Sequence, residues 1–495
     1  MTNRGRRGLA AFAALFILTG GPAVAAEGGI VMGAVLEPPH LDPTAGAAAA
    51  IDEVVYANIF EGLTRIDRNG AVLPALAESW EVSQDGKRYS FKLREGVTFH
   101  DGSSFEASDV VFALERARAE DSVNAQKALF EPIDNIEAAG DDGVVITLKR
   151  PSGNFLFNMG WGDAVIVAPE TAEANKSSPV GTGPFKFRRW VQGDRVELER
   201  YDDYWGTPVQ LSEATFKFIP DPAAAAAAML AGDIDAFANF PAPEILAQFE
   251  ADPRFDVVIG TTEGETILST NNARAPFDDI RVRQAIAHTL DRGAVIDGAM
   301  FGYGTPIGSH FAPHHPAYID LTGHSPHDLE KARALLAEAG YAEGFDATLK
   351  LPPPSYARRG GEIIAAQLAE IGIRLEIIPM EWAQWLEQVF RARDFDLTIV
   401  SHTEPMDIGI YARDDYYFNY ASPALKETME SLTAAVTQEE RYALMGEAQR
   451  KLAEDAVNGF IFQLAKHGVW DAKLKGLWEN SPVQANDLTA VEWSQ

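Results

Sequence analysis

Short runs of alternating apolar and polar residues recur along the chain and predict half-buried β-strands. Residues 89–93 and 144–148 have this period of two, which places every second side chain on one face of a sheet. Asp85 and Gly86 precede the first run and predict a two-residue hairpin turn, in which the glycine adopts a positive φ. The pattern therefore indicates a hairpin in this part of the chain.

Segments with helical spacing alternate with these strands. Residues 328–340 combine an aspartate at the start, apolar positions three and four apart and a final glycine, as a capped amphipathic helix does. Residues 362–371 have similar spacing, and Gly372 and a strand over 373–379 follow them. The alanine run at 223–228, which follows Pro222 and leads to Gly232, predicts a helix rather than a linker. This alternation predicts an α/β fold with open crevices at its strand ends.

The chain is too long for a single hydrophobic core. With 495 residues, two or three domains are expected, and 46% apolar and 23% charged residues are ordinary globular values. The sequence has no repeat of fixed period and no low-complexity linker. We therefore expect the domains to be divided where the chain crosses between lobes.

The first 26 residues have the order of a secretory signal peptide. Arg4, Arg6 and Arg7 precede an apolar stretch over residues 8–18, and small residues follow the Gly-Gly-Pro sequence at 20–22. The apolar stretch is shorter than the ~20 residues that a membrane span needs. We predict cleavage near Ala25 or Ala26 and a periplasmic location for the mature chain.

Cysteine content and charge restrict the possible functions further. The chain contains no cysteine, which excludes disulfides, thiol catalysis and a lipid anchor on an N-terminal cysteine. Its formal net charge of -30 disfavours binding to nucleic acids and to anionic membrane surfaces. We expect a monomer without a membrane anchor.

Five sequence blocks, in a fixed order, resemble one protein family. They are AESWEVSQDGKRYSFKLREGVTFHDGSSFEASDVV at 77–111, PVGTGPF at 179–185, DDYWG at 202–206, FDDIRVRQAI at 277–286 and KARALLAEAGY at 331–341. Together they are similar to the extracellular solute-binding protein family 5, which includes oligopeptide-, dipeptide- and nickel-binding proteins. The resemblance extends over nearly the whole mature chain.

The resemblance implies a two-lobed periplasmic binding protein fold, type II and cluster C-like, with an extra domain inserted in the first lobe. Lobe I then comprises residues 27–56, 179–269 and 467–495, the inserted domain 57–178, and lobe II 270–466. The implied function is that of the soluble substrate-binding component of an ABC importer. Such a protein captures a peptide or peptide-like solute between its lobes by hinge closure and presents it to the permease subunits in the membrane.

The resemblance also implies an acidic residue that pairs with the amino terminus of a bound peptide. Family members usually have Gly-Trp-x-x-Asp at this position, whereas this chain has SHTEPMD at 401–407, after a predicted strand over 395–400. The acidic role falls to Glu404 or Asp407, and His402 replaces the tryptophan. A carboxylate suits this role because its hydrogen bond to an ammonium group is charge-assisted.

Four further residues are candidates for the ligand site. Arg358 could bind a carboxylate through two hydrogen bonds, or it could be a solvated residue at the start of a helix. Trp382 and Trp385 could form a wall of the pocket or pack in the core. Tyr411 begins an aromatic and charged stretch over 411–418, where we expect differences in ligand specificity to arise.

A metal or metal chelate is an alternative cargo, because the family includes nickel binders. His310, His314 and His315 lie close together in the sequence SHFAPHHP and could ligate a divalent ion, or they could belong to a proline-rich surface loop. Opines, glycans and cationic small molecules are further alternatives. We assign neither a resident metal nor a cofactor.

The sequence does not indicate catalysis. It contains neither a Gly-x-Ser-x-Gly nor a His-Glu-x-x-His motif. His100 and Asp101 are adjacent at a predicted turn, where neighbouring side chains rarely converge on one point. The sequence GTGP at 181–184 lacks the lysine of a phosphate-binding loop and predicts a tight turn. We therefore predict a binding protein without catalytic residues, with peptide hydrolysis as a remote alternative.

Overall fold

The computed structural model describes residues 28–46, 48–404, 406–435 and 437–494. The signal peptide predicted over residues 1–26 lies outside these ranges. Within them, no helix combines the length and the apolar character that a membrane crossing requires.

The chain alternates between strands and helices, as the sequence predicts. The strands are β1 (Gly29–Ala34), β2 (Thr64–Ile66), β3 (Val72–Pro74), β4 (Ala77–Val82), β5 (Arg88–Leu93), β6 (Ile133–Ala138), β7 (Gly143–Leu148), β8 (Phe185–Val191), β9 (Arg195–Arg200), β10 (Glu213–Phe218), β11 (Ala236–Phe237), β12 (Phe255–Thr270), β13 (Thr305–Pro306), β14 (Phe345–Leu351), β15 (Ile373–Pro379), β16 (Leu397–His402), β17 (Asn458–Asp471), β18 (Leu474–Lys475) and β19 (Glu492–Trp493).

The α-helices are α1 (Ala49–Val55), α2 (Ala107–Arg118), α3 (Phe155–Asn158), α4 (Pro222–Ala231), α5 (Leu246–Glu250), α6 (Ile280–Thr289), α7 (Arg292–Met300), α8 (Leu329–Glu338), α9 (Ser355–Ala369), α10 (Trp382–Trp385), α11 (Pro423–Ala434) and α12 (Gln438–Glu454). Helix α10 continues as a π-helical turn over Leu386–Arg391, and short 3₁₀ helices such as Ile408–Ala412 connect other elements.

Local sequence signals set several helix ends. The carboxylate of Asp328 accepts a hydrogen bond from the Lys331 amide at 3.0 Å and caps α8. Helix α4 begins after Asp221 and ends at Gly232, whose φ of 77° is favourable for glycine. Helix α9 begins at 355, seven residues before the predicted start at 362. Gly361 lets this early turn pack closely, because a Cβ there would lie 2.4 Å from the side chain of Leu351.

The hairpin between β4 and β5 has a longer connection than the two-residue turn predicted. Residues 83–87 join the strands, and the amide of Ser83 donates to the carbonyl of Arg88 at 2.9 Å. Gly86 has the predicted positive φ, 67°. The extra length is stabilised by side chains, since the Ser83 hydroxyl donates to Asp85 and accepts from the Arg88 amide.

A mixed eleven-stranded sheet runs through the molecule. Its order is β15-β14-β16-β12-β17-β11-β1-β10-β9-β8, and β13 also pairs with β17. Strand β1 is parallel to β10 and β11, and β14 is parallel to β15 and β16. A separate antiparallel sheet, β4-β5-β7-β6, lies within the residues that the sequence assigns to an inserted domain.

Two long antiparallel strands, β12 and β17, connect the two ends of the large sheet. At one end they carry Val257 and Val469, which belong to a core cluster with α4 and α5. At the other end they carry Leu268 and Ile461, which pack against α6–α9. Because one pair of strands contributes to separate cores, these strands are the physical link between the two halves. The lobe boundaries given above remain a prediction.

Candidate functional site

A cavity of about 400 Å³ lies between two distant parts of the chain. One wall comes from residues between 126 and 161, and the other comes from residues 404 and 406–409 with helices α11 and α12. Arg441 of α12 reaches the facing wall, where its guanidinium donates to Oδ1 of Asn154 at 2.5 Å. The cavity therefore lies between the predicted inserted domain and predicted lobe II.

The loop after β16 brings three of the predicted site residues together. A ring nitrogen of His402 and carboxylate oxygens of Glu404 and Asp407 lie within 4.8 Å of one another. Strand β16 extends to His402 and not to 400 as predicted, so this side chain is buried at the strand end. Met406 follows with a φ of 64°, a left-handed conformation that is uncommon for a non-glycine residue. Glu404 and Asp407 both line the cavity.

Two buried glutamates of β12 lie close to this loop. Between the pairs Thr261–Ala465 and Glu265–Gln463, three residues of β12 stand opposite one residue of β17, which forms a β-bulge. A bulge changes the direction of the side chains that it carries. Glu263 is the central residue of the bulge and Glu265 is the first paired residue after it, and both are buried. Glu265 accepts a hydrogen bond from the Phe311 amide at 3.2 Å.

The three histidines around residue 312 do not converge on one point. His310 Nε2 lies 2.9 Å from Oδ1 of Asp407, although neither atom has an aligned hydrogen-bond partner. His314 Nε2 lies 2.6 Å from Oε1 of Glu263. His315 stacks on Phe311, with ring centroids 4.2 Å apart. The proposed ligation of one ion by these three residues together therefore has no geometric basis.

Burial and like charges change the titration of the cluster. Burial is the main cause that raises the pKa of Glu265, and the negative charges of Asp407 and Glu263 raise it further. Burial lowers the pKa of His402, against the opposing effect of Asp407 and Glu404. Burial also lowers the pKa of His315 to about 4. A positive charge beside the cluster would oppose the rise in the pKa of Glu265, because it favours the ionised form of a carboxyl group.

Arg358 and the two tryptophans lie outside this cavity lining. The guanidinium of Arg358 donates to the carbonyls of Pro352 and Met380 at 3.0 and 2.8 Å, so its donors hold the ends of two strands together. Trp385 is buried, and its Nε1 donates to Oγ1 of Thr398 at 2.9 Å. Trp382 is 41% exposed and meets the ring of Trp385 edge to face. For Trp385, core packing is therefore the role that its surroundings favour.

The aromatic residues of the stretch over 411–418 are part of a hydrophobic core, whereas residues 413–415 between them are exposed. Tyr411 is only 2% exposed and stacks on Phe418 with ring centroids 4.9 Å apart. Tyr417 is equally buried, and its hydroxyl lies 3.0 Å from Nε2 of His402. The stretch thus supports the site loop from behind, whereas the sequence suggested direct contact with a ligand.

Sequence analysis missed Glu265 and Arg441 as functional candidates. A signal existed for Glu265, because Glu263-Gly264-Glu265 places two charges and a glycine within a strand rich in β-branched residues, and a glycine inside a strand pattern suggests a bulge. Arg441 lies among charged residues at the start of a polar helix, and nothing local distinguishes it from a solvated surface residue.

The cavity offers opposite charges to a solute. Glu404 and Asp407 supply carboxylates, and Arg150 and Arg441 supply guanidinium groups. Carboxylates bind ammonium groups through charge-assisted hydrogen bonds, and guanidinium groups bind carboxylates in the same way. The arrangement therefore suits a small solute that carries both kinds of charge.

Comparisons with known proteins agree with the motif order. The sequence model of the family described as "Bacterial extracellular solute-binding proteins, family 5 Middle" matches residues 71–422. The dipeptide-binding protein of Escherichia coli (strain K12) is 31% identical over 359 residues, which are 65% of this chain and 65% of that protein. The match thus spans a little under two thirds of this relative. The glutathione-binding protein GsiB of Pectobacterium atrosepticum is 34% identical over 357 residues, 70% of this chain and 68% of the relative.

A solved structure extends the likeness to nearly the whole fold. The periplasmic binding protein DppA of Helicobacter pylori, in complex with the peptide STSA, superposes with a TM-score of 0.83 at 26% identity. The superposition covers 95% of this chain and 98% of that chain. It confirms the predicted α/β fold of a two-lobed periplasmic binding protein.

Proposed function

This chain belongs to the bacterial extracellular solute-binding proteins, family 5, and we propose that it captures a peptide or peptide-like solute for an ABC importer. The ligand lies in the cavity between residues 126–161 and the loop after β16. Its amino group pairs with Glu404 and Asp407. The protein acts by binding alone, without turnover of its ligand, and it acts in the periplasm after removal of the signal peptide.

The observation that carries this proposal is the pair of carboxylates in the cavity lining, Glu404 and Asp407. Glu265 lies behind them with one carboxylate oxygen that has no hydrogen-bond partner. A positively charged group in front of these residues would reduce their mutual repulsion, and a peptide amino terminus is such a group. The relatives named for a dipeptide, for glutathione and for a bound peptide support the same ligand class.

Hinge closure follows from the composition of the cavity walls. The two walls come from chain segments nearly 300 residues apart, and the hydrogen bond from Arg441 to Asn154 joins them directly. A ligand that contacts both walls stabilises the closed form over the open one, because only the closed form offers both sets of contacts. The permease subunits would then recognise the closed, loaded protein.

Mass spectrometry of the solutes that co-purify with the periplasmic protein tests the ligand class. We expect a mixture of short peptides, and isothermal titration with one of them should give a single site. Incubation of the same peptide with the protein should leave it intact. A single non-peptide compound in the preparation, together with no binding to a peptide library, would contradict the peptide proposal and leave the transport role in place.

The N-terminal residue of the protein purified from the periplasm tests export. We expect Ala26 or Glu27 as the first residue of the mature chain. Retention of Met1 in the periplasmic fraction would contradict cleavage at the predicted position.

A further inference from the structure

A segment near the C-terminus, residues 477–488, which we call the strap, is anchored to the N-terminal part of the chain. Its buried apolar side chains share one core cluster with residues of β1, β5 and β10; they are Leu477, Trp478, Val483, Ala485 and Leu488. Asn58 donates to the carbonyl of Asn486 at 2.9 Å and accepts from the amide of Leu488 at 3.1 Å. Arg65 donates to the buried carboxylate of Asp487 at 2.7 Å. The strap is therefore fixed to predicted lobe I and to the predicted inserted domain.

The strap crosses the two long strands beside the β-bulge of β12. Oδ1 of Asn480 accepts hydrogen bonds from the amide and the hydroxyl of Thr261, at 2.9 and 3.0 Å. On β17, the buried Lys466 donates from Nζ to the carbonyl of Trp478 at 2.7 Å. Both strands that link the halves of the large sheet thus bind the strap directly.

One side chain of the strap reaches the loop after β16. Gln484 is half-buried, and its Nε2 donates to Oγ1 of Thr403 at 3.0 Å across a separation of 81 residues. The amide of Thr403 donates in turn to Oε2 of Glu404 at 3.1 Å. Gln484 therefore contacts the residue that holds one of the two carboxylates of the cavity lining.

We propose that Gln484 is a positioning residue for the carboxylate of Glu404. It acts through Thr403 and restricts the direction of the Glu404 side chain before a solute enters the cavity. An exposed glutamate loses rotamer freedom when it pairs with a ligand, so prior ordering lowers the free-energy cost of binding. The inference rests on the proposed function only for the role of Glu404 toward the ligand.

The place of this contact lets it persist while the lobes move. His402 at the end of β16 pairs with Glu265, the first paired residue after the bulge of β12, so Thr403 lies beside the linking strands. A rotation displaces atoms in proportion to their distance from its axis, and atoms beside the linking strands therefore move least. We expect the hydrogen bond between Gln484 and Thr403 in the ligand-free protein as well as in the loaded one.

Hydrogen–deuterium exchange of the ligand-free mature protein tests this role. Gln484→Met keeps the length of the side chain and removes the amide donor. We expect fragments that cover residues 401–410 to exchange about 5-fold faster, which is the effect of one lost hydrogen bond on a local opening equilibrium. Exchange in β4 and β5 should stay as in the wild type, because a local opening leaves the rest of the fold intact.

Variants of Thr403 separate positioning from general stability. Thr403→Val removes the hydroxyl at nearly the same volume and should accelerate exchange as Gln484→Met does, whereas Thr403→Ser keeps the hydroxyl and should exchange like the wild type. Gln192→Met, the same substitution at an exposed glutamine between β8 and β9, is the matched control. Unchanged exchange of residues 401–410 in Gln484→Met would overturn the proposal. Equal acceleration in β4 and β5, or a Thr403→Ser variant that behaves like Thr403→Val, would also overturn it.

Calorimetry with trialanine connects the position of the loop to affinity. We expect Gln484→Met and Thr403→Val each to bind trialanine about 5-fold more weakly than the wild type, and the double variant to bind no more weakly than either one. Unchanged affinity in both variants would overturn the role of Gln484 toward the ligand. A wild type that does not bind trialanine would count against the peptide proposal, whereas the exchange data decide the positioning of the loop without any peptide.

Discussion

His100 Nε2 lies 2.9 Å from the carbonyl oxygen of Gly183 and donates a hydrogen bond to it. The Gly181 amide donates to the other ring nitrogen, Nδ1, at 3.3 Å. Because a backbone amide can only donate, Nδ1 must accept and Nε2 must carry the proton. Two of the blocks that characterise the sequence, HDG at 100–102 and GTG at 181–183, are thus joined by one neutral imidazole. This explains the presence of His100 without any catalytic role.

The first prediction concerns the pH dependence of this contact. Burial lowers the pKa of His100 to about 4, below the ordinary value of about 6.5. Its contribution to the free energy of unfolding is therefore complete above pH 6.5 and is lost as the pH falls through 4. We expect His100→Ala to be destabilising by about 3 kcal/mol at pH 7.5 and by much less at pH 4, as measured by urea unfolding.

The exposed His324 provides the control for this measurement. His324→Ala should unfold like the wild type at both pH values. If the free energies of unfolding of the wild type and His100→Ala changed in parallel with pH, the proposed protonation at Nδ1 would be wrong.

The second prediction concerns Glu61, which connects three segments. Its carboxylate accepts hydrogen bonds from Thr182 Oγ1 at 2.9 Å, Tyr204 Oη at 2.9 Å and Trp205 Nε1 at 2.7 Å. Burial nevertheless raises its pKa to about 7. A carboxyl group whose pKa is raised in the folded state contributes its full stabilisation below the pKa of the unfolded state, about 4.3. This contribution is lost as the pH rises through 7.

Glu61→Gln should remove this part of the pH dependence. We expect the variant to be clearly less stable than the wild type at pH 4.5 and to approach it at pH 8, with a change in the difference of about 3 kcal/mol. Thermal unfolding across this range measures it. Glu376→Gln, on the exposed surface of β15, is the control, and its difference in stability from the wild type should be constant over this pH range. A loss of stability in Glu61→Gln that increases at alkaline pH would contradict the assigned pKa.

Local structure could be predicted from the sequence, whereas the assembly of the site could not. The capping of α8 by Asp328 and the end of α4 at Gly232 depend on neighbours within four residues, so their signals are contained in short windows. The bulge at Glu263 and Glu265 depends on a partner strand about 200 residues away. Trp385 shows the same limit, because a tryptophan in a core and one in a pocket wall have the same helical spacing.

The family resemblance identified the loop of the site but not the residues that surround it in the folded structure. It indicated that an acidic residue follows the strand at 395–400, and Glu404 and Asp407 indeed line the cavity. It did not indicate that His310 and Glu265 lie behind them. These residues belong to the loop after β13 and to β12, which are distant from the loop after β16 in the sequence and meet it only in the folded structure. Charge clusters of this kind cannot be predicted from the sequence, because each residue alone has an ordinary sequence environment.

The third prediction concerns the hydrogen bond across the cavity from Arg441 to Asn154. Arg441→Met keeps much of the side-chain volume but removes this contact. A hydrogen bond contributes about 1 kcal/mol net, so its loss should weaken the closed form measurably. We expect the affinity for a bound peptide to fall by about 5-fold, since 1.4 kcal/mol corresponds to tenfold. Small-angle scattering of the ligand-free protein should shift toward a larger radius of gyration.

Asn154→Ala and the double variant complete this test. If the two residues act through one another, the second substitution should add almost nothing to the first. Fully additive losses would show that Arg441 and Asn154 contribute independently, and the contact would then have no part in closure.

The last prediction concerns the pairing of the ligand's amino group with the site loop. Asp407→Asn keeps the shape of the side chain and removes its charge, and we expect peptide affinity to fall by about 2–4 kcal/mol, as for loss of one partner of a partly desolvated ion pair. Glu404→Gln should have a smaller effect, because Glu404 is more exposed and water screens its charge. An N-acetylated form of the same peptide lacks the ammonium group and should bind the wild type about as weakly as the free peptide binds Asp407→Asn. The acetylated peptide should also be insensitive to the substitution, since the partner of the carboxylate is already absent.

Calorimetry in buffer with EDTA measures all four affinities without interference from metals, and Glu376→Gln serves as the charge-matched control. If the acetylated and free peptides lost the same affinity on Asp407→Asn, the carboxylate would contact another part of the ligand, and the amino terminus would lie elsewhere in the cavity.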